Sequence, residues 1–192
     1  MPLQMKQMRT HAMAALLALA ALASPAAAQQ TGQQRSPRDT ARLELGGRRV
    51  YVDYGRPSMR GRRIVGELVP YGRVWRTGAN AATTLVTEVD LRIGDAVVPR
   101  GTYTLYTLPA ARGWTLIVNR QTGQWGTQYD ASRDLVRIPM RTTRVAQPVE
   151  KFTITLERAP GGATGTLAMA WENTRVSVPV RAQAAPAPRP RR

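Results

Sequence analysis

Histidine and cysteine are all but missing from this chain. The only histidine is His11, and there is no cysteine at all. If the first 28 residues are an export signal, as argued below, the mature protein has neither imidazole nor thiol. A Ser-His-Asp triad or a Cys-His pair then has no atoms to be built from. A zinc site of His or Cys ligands is excluded, and no disulfide staples the fold, so burial must hold it despite export. Lysine is nearly absent too: beyond Lys6 there is only Lys151, which opens KFTITLE. There Phe152, Ile154 and Leu156 alternate with Lys151, Thr153, Thr155 and Glu157, which puts Lys151 on the face opposite the apolar one. An exposed amine keeps its charge and makes a poor Schiff-base nucleophile. Catalysis is left to carboxylate, Tyr and Ser chemistry. No D-x-D-x-D-G run suggests calcium, and the sequence calls for no metal and no cofactor. Nor does any segment after the first 28 residues sustain a helical period; RRIVGELVP (62–70) has room for one turn before Pro70.

What is present begins with the ends. Lys6 and Arg9 precede the apolar run AMAALLALAALA (12–23), and small residues at Ala26 and Ala28 stand before Gln29. This three-part pattern predicts a secretory signal peptide over 1–28. The run is shorter than the ~20 residues a membrane span needs, and without a nearby Cys a lipid anchor is excluded. The expected location is the periplasm or the exterior, with no transmembrane segment once the signal is removed. Residues 29–37 are polar and aperiodic, a predicted flexible linker, and 181–192 (RAQAAPAPRPRR) is a Pro, Ala and Arg tail with nothing to bury. One domain over 38–180 remains, large enough for a real core.

The formal charge is +16, and it stays strongly positive without Lys6 and Arg9 because every acid lies beyond the signal. Such a balance invites a nucleic-acid partner, but export and the scatter of Arg along the strands argue against one. Anionic envelope surfaces remain the expected attraction.

Period-two patterns dominate between the ends. In TLVTEVDLRI (84–93), Leu85, Thr87, Val89, Leu91 and Ile93 share a face, and Gly94-Asp95 predicts a hairpin into AVV. Further strands are predicted at RLEL and RRVYVDY around Gly46-Gly47, at TYTLYTL (102–108), WTLIVN (114–119), DLVRI (134–138), KFTITLE (151–157), TLAMAWE (166–172) and RVSVPV (175–180). Eight or nine short strands with frequent turns predict an all-β fold, an antiparallel sandwich with jelly-roll-like or barrel-like closure. Long connections at 55–82 and 120–133 are the expected places for function.

YGRPSMRGRRIVGELVPYGRVWRTGANAATT, GTYTLYTLP, WTLIVNRQTGQWG and WENTRVSVPV resemble a bacterial exported family known as domain of unknown function 2911 (DUF2911), over about Ser36 to Val180. The resemblance implies a β-rich exported domain of unassigned activity and carries no catalytic residue across. The family pattern has Glu where this chain has Ala81, so any catalytic or charge-pairing role of that Glu is absent here.

The first long connection gathers Arg56, Arg60, Arg62, Arg63, Arg73 and Arg76 with Tyr71, Trp75 and Asn80, and Trp125 follows in the second. Arginine forks bind carboxylate or phosphate, and indole offers a flat face to a sugar or a cation. Arg56, Trp75, Arg76, Asn80 and Trp125 are therefore the candidate site for an anionic glycan, peptide or envelope surface. The same residues also suit a purely structural role, with Arg bridging loop carbonyls, Trp75 plugging the core, and Asn80 and Gly78 supplying turn geometry. Trp114 and Trp171, alternating with apolar neighbours, are expected in the core. Asp53, Glu67, Glu88, Asp130, Asp134 and Glu172 are the carboxylates weighed for an acid–base pair, as in glycoside hydrolysis, but no spacing brings two together. Three functions follow: a non-enzymatic binding module for an anionic ligand, a carboxylate-dependent hydrolase of glycan or ester, and a structural protein of the cell envelope.

Overall fold

Strands form in most of the stretches that alternation and turn chemistry mark, though their bounds differ. A computed structural model describes residues 36–183; the predicted signal peptide and most of the predicted linker and tail lie outside them. Nine strands follow in chain order: β1 Arg38–Leu45, β2 Arg48–Gly55, β3 Thr84–Thr87, β4 Leu91–Ile93, β5 Ala96–Val98, β6 Gly101–Ala110, β7 Gly113–Asn119, β8 Asp134–Arg158 and β9 Thr164–Ala182. They make one antiparallel sheet in the order β1-β2-β3-β6-β7-β8-β9-β4-β5. The all-β antiparallel expectation holds. The sheet does not close into a barrel, since β1 and β5 remain its edges.

Layering comes from two long strands. Fully extended, the 25 residues of β8 would span about 80 Å, roughly twice the diameter of a domain this size. Register shifts between Arg144 and Val149, and between Val149 and Thr153, bend the β8–β9 ladder, as bulges do. In β9 the bend coincides with Glu172, whose φ is +52°. Residues 134–140 thus pair with β7, while 153–158 pair with the start of β9 and pack across the core against β2. The buried Tyr54 hydroxyl accepts from Ile154 N at 3.0 Å, joining the two layers.

Sequence alternation merges and splits elements differently. DLVRI and KFTITLE belong to one strand, as do TLAMAWE and RVSVPV, because 139–144, Val149 and the Glu172 kink still pair with a neighbour. TLVTEVDLRI, in contrast, is two strands. The chain leaves the ladder at Glu88, turned by the Thr87 hydroxyl donating to Val89 O at 2.6 Å, and β4 joins the far side beside β9. Both pieces keep their apolar face on the same core, which is why the alternation runs through unbroken. β9 also extends past Val180, so that Arg181 and Ala182 pair with Arg92 and Leu91.

The core lies between Leu43 and Val180 among the described residues, with Val50, Val52, Leu85, Leu105, Leu116 and Val118 fully or nearly fully buried. A smaller cluster forms on the outer face of β6 and β7. Thr104, Tyr106, Ile117 and Asn119 are all buried there under the loop 120–133. The first connection, 56–83, runs along two strand edges. Phe152 N donates to Pro57 O and Met59 N to Glu150 O, at 2.9 and 2.8 Å, and Trp75 exchanges two backbone hydrogen bonds with Thr107, at 2.7 and 3.0 Å. It therefore covers edges that would otherwise be open for aggregation.

Candidate functional site

Trp75 is brought to the core. Its ring lies 4.9 Å from Phe152 and 6.3 Å from Trp114, both edge-on, and stacks on Trp171 at 5.7 Å with an interplanar angle of 20°. These geometries suit the quadrupoles of the rings. The void beside them is about 10 Å³, room for about one water, and Ile64, Met169 and Val176 help to line it. Trp114 and Trp171 are buried as expected. Neighbours on this end of the molecule are held in uncommon backbone geometry. Thr77 has φ +52°, an outlier for a β-branched residue, fixed by its hydroxyl donating to Trp75 O and bonding Thr107 Oγ1, at 3.2 and 3.1 Å. Glu172 compensates for its own left-handed backbone by accepting from Ile64 N and Val65 N at 3.2 and 3.0 Å.

Arg56 is also committed within the fold. Nε donates to Phe152 O at 3.2 Å, Nη2 to Thr153 Oγ1 at 3.0 Å, and Nη1 is 3.4 Å from Asp39 Oδ2. It satisfies the β8 edge where the chain leaves β2.

The other three candidates converge. The Asn80 backbone has φ +65° and its carbonyl accepts from Gly126 N at 2.9 Å. Its side-chain amide donates to Ser36 O at 3.1 Å, while Arg56 N holds the next residue through Pro37 O at 2.7 Å. Ala81 forms an isolated bridge with Trp125, whose indole is 44% exposed. Gly126 makes this crossing possible: a Cβ there would stand 2.9 Å from Asn80 O and 3.0 Å from Arg76 Cδ. Arg76 thus lies across the Gly126 backbone, next to Trp125 in the chain. Its Nε donates to Gly78 O at 3.2 Å, and no carboxylate among the described residues is within ion-pair distance of it.

The Trp125 loop rests on a polar network that alternation does not disclose. Asn119 Nδ2 donates to Asp130 O and Asp134 Oδ1, at 2.8 and 2.9 Å. The Tyr129 hydroxyl donates to Asp134 Oδ2 at 2.7 Å and accepts from Arg137 Nη2 at 2.8 Å. Gln124 Nε2 reaches Thr104 Oγ1 and the Tyr106 hydroxyl, both at 3.0 Å. Burial, and then the Asp134 carboxylate accepting its proton, push the Tyr129 phenol up to about 12. Asp130 caps the short 3₁₀ turn 131–133, and hydrogen bonds from Ser132 hold its carboxyl below the usual range. The sequence signal for this network is the polar Asn119 closing an otherwise apolar strand.

The weighed carboxylates are distributed over separate partners. Asp53 pairs with Arg38, Glu88 with Arg49, Glu67 with Arg63, Asp130 with Arg133 and Asp134 with Arg137, and Glu172 binds the two amides. Among the described residues no three acids cluster as metal ligands, and no helix is long and apolar enough to cross a membrane. All 12 acids lie within 36–183, whereas Lys6, Arg9, Arg35, Arg189, Arg191 and Arg192 of the 28 basic residues lie outside, so the described chain carries +10. Seven acids are in ion pairs, which leaves most guanidinia of the described residues without a carboxylate partner.

No curated protein and no solved structure matches this chain. The family model described as "Protein of unknown function (DUF2911)" matches residues 36–180. With the match covering the described sheet almost to the end of β9, the chain belongs to the DUF2911 family.

Proposed function

We propose that this protein is an exported, non-enzymatic binding module that takes an anionic ligand on the face formed by Arg76, Asn80 and Trp125. One observation carries this reading: a half-exposed Trp125 and an Arg76 without a carboxylate partner meet at the Asn80–Gly126 backbone crossing, the Arg76 stem packing on Gly126, the residue after Trp125. A carboxylate on the guanidinium and a ring on the indole describe an acidic sugar, and the rigid β6–β7 platform keeps both groups in place. Trp75 and Arg56 take no part, since both are engaged in packing and in the β8 edge.

A titration with a uronic-acid oligosaccharide, followed by tryptophan fluorescence, tests the reading. Binding is expected to exceed that of the neutral oligosaccharide of the same length. Arg76→Gln should weaken it about tenfold, the worth of a charge-assisted hydrogen bond. Trp125→Ala should weaken it comparably. Ala81→Glu, which sets an acid beside Trp125, should weaken it as well. Equal affinity for acidic and neutral sugars, or no effect of Arg76→Gln in a folded variant, overturns it.

A further inference from the structure

A second surface lies between residues 60 and 73. Leu68 and Tyr71 are 46% and 48% exposed, whereas nearly all other large apolar side chains among the described residues are covered. They are displayed by a fixed loop. Val69 N donates to Ile64 O at 2.8 Å and Gly66 N to Val69 O at 2.9 Å. The Tyr71 ring packs on Gly66, 3.2 Å from where a Cβ would stand. Gly72 N donates to Pro109 O at 2.9 Å, which sets this loop beside the β6–β7 turn and its exposed Arg112. Arg60, Arg62, Arg63 and Arg73 are exposed in the same stretch. From 56 to 83 the only acid is Glu67, already 3.2 Å from Arg63.

We propose that this face docks on an anionic lipid surface, with Leu68 and Tyr71 entering the headgroup layer while Arg60, Arg73 and Arg112 meet phosphates. Charge complementarity selects an anionic partner, and the two apolar side chains select a lipid one. A soluble polyanion gains from the guanidinia but offers nothing to Leu68, whereas a bilayer places an apolar layer directly beneath a charged one. Tyrosine suits that boundary, and arginine stems lie along apolar surface with their heads at the phosphates. Each guanidinium held near such a surface strengthens binding about fivefold. The inference does not rest on the Arg76 and Trp125 site.

Co-sedimentation with lipid vesicles decides it. Among the described residues the core and the side chains packed on it lie between Ala41 and Ala182, so a chain starting at Gln29 keeps them intact. Vesicles of phosphatidylcholine alone are compared with vesicles containing about one-third phosphatidylglycerol. Binding is expected only to the latter and should fall with salt. Arg73→Gln with Arg112→Gln should weaken it about 25-fold, and Leu68→Ser with Tyr71→Ser about tenfold. Circular dichroism checks that both variants fold. Trp125→Ala should leave vesicle binding unchanged. Equal binding to the zwitterionic vesicles overturns the proposal. So does an unaffected Leu68 and Tyr71 variant, which would mark a surface for soluble polyanions. Binding lost instead on neutralising Arg189, Arg191 and Arg192 would assign it to the tail and also sink the loop.

Discussion

Replacing Trp75 with Ala separates a packing residue from a ligand platform. The indole touches three aromatic rings, at 4.9, 5.7 and 6.3 Å. Truncating a buried Trp or Phe to Ala costs about 3–5 kcal/mol. Trp75 is partly rather than fully buried, so the lower end applies, about 3 kcal/mol. For a domain of this size, that corresponds to a fall in Tm of about 6–12 °C. Urea unfolding followed by far-UV circular dichroism measures the loss directly. The midpoint should drop with little change in slope, because the surface exposed on unfolding hardly changes. A double-mutant cycle with Trp171→Ala should return a coupling of about 0.5–1.5 kcal/mol for the stacked pair. Trp125→Ala, by contrast, should stay within about 0.5 kcal/mol of the parent, as exposed positions do. A Trp75→Ala variant that loses less than about 1 kcal/mol would show that the ring cluster does not hold the loop, and the assignment of Trp75 to the core would fall with it.

Other perturbations probe different joints. Tyr54→Phe removes the bridge to Ile154 N across the layers and should cost about 1–3 kcal/mol in chemical denaturation; no change would mean the amide finds another acceptor. Gly55→Ala would drive a Cβ into the Ala79 carbonyl, so poor folding is expected, and a normal Tm would contradict the close approach of β2 to the 76–80 loop. Glu172→Ala and Glu172→Gly both lose the amide contacts to Ile64 and Val65, but only Gly relieves the φ of +52°. Glu172→Gly should therefore be the more stable by about 1 kcal/mol, and equal stabilities refute the strain. Tyr129, raised from 10.0 to about 12, favours the neutral phenol in the fold. Its contribution is complete below pH 10 and is lost as pH rises through about 12. Tyr129→Phe should flatten the alkaline fall in stability, and an unchanged profile would place that fall elsewhere.

Local chemistry was legible in the sequence. Alternation and Gly-containing turns marked most of the strands and their core faces, because the period of a strand and the φ demands of a turn are properties of a few adjacent residues. The absence of thiol, and of any imidazole but that of His11, bounded the chemistry for the same reason: composition needs no geometry. What alternation could not contain was pairing at a distance. That β8 and β9 each run through both layers depends on the extra residues of β8 on either side of Val149, set against the turn of β9 at Glu172. The division of Arg56, Trp75, Arg76, Asn80 and Trp125 was also decided by tertiary contacts. Arg56 found the β8 carbonyls and Trp75 the aromatic cluster. Gly126, 50 residues beyond Arg76, let the remaining three meet. The arginines at 73 and 76 look alike in sequence; only the segments that arrive beside them from far along the chain determine which lies across a distant loop and which is left facing solvent.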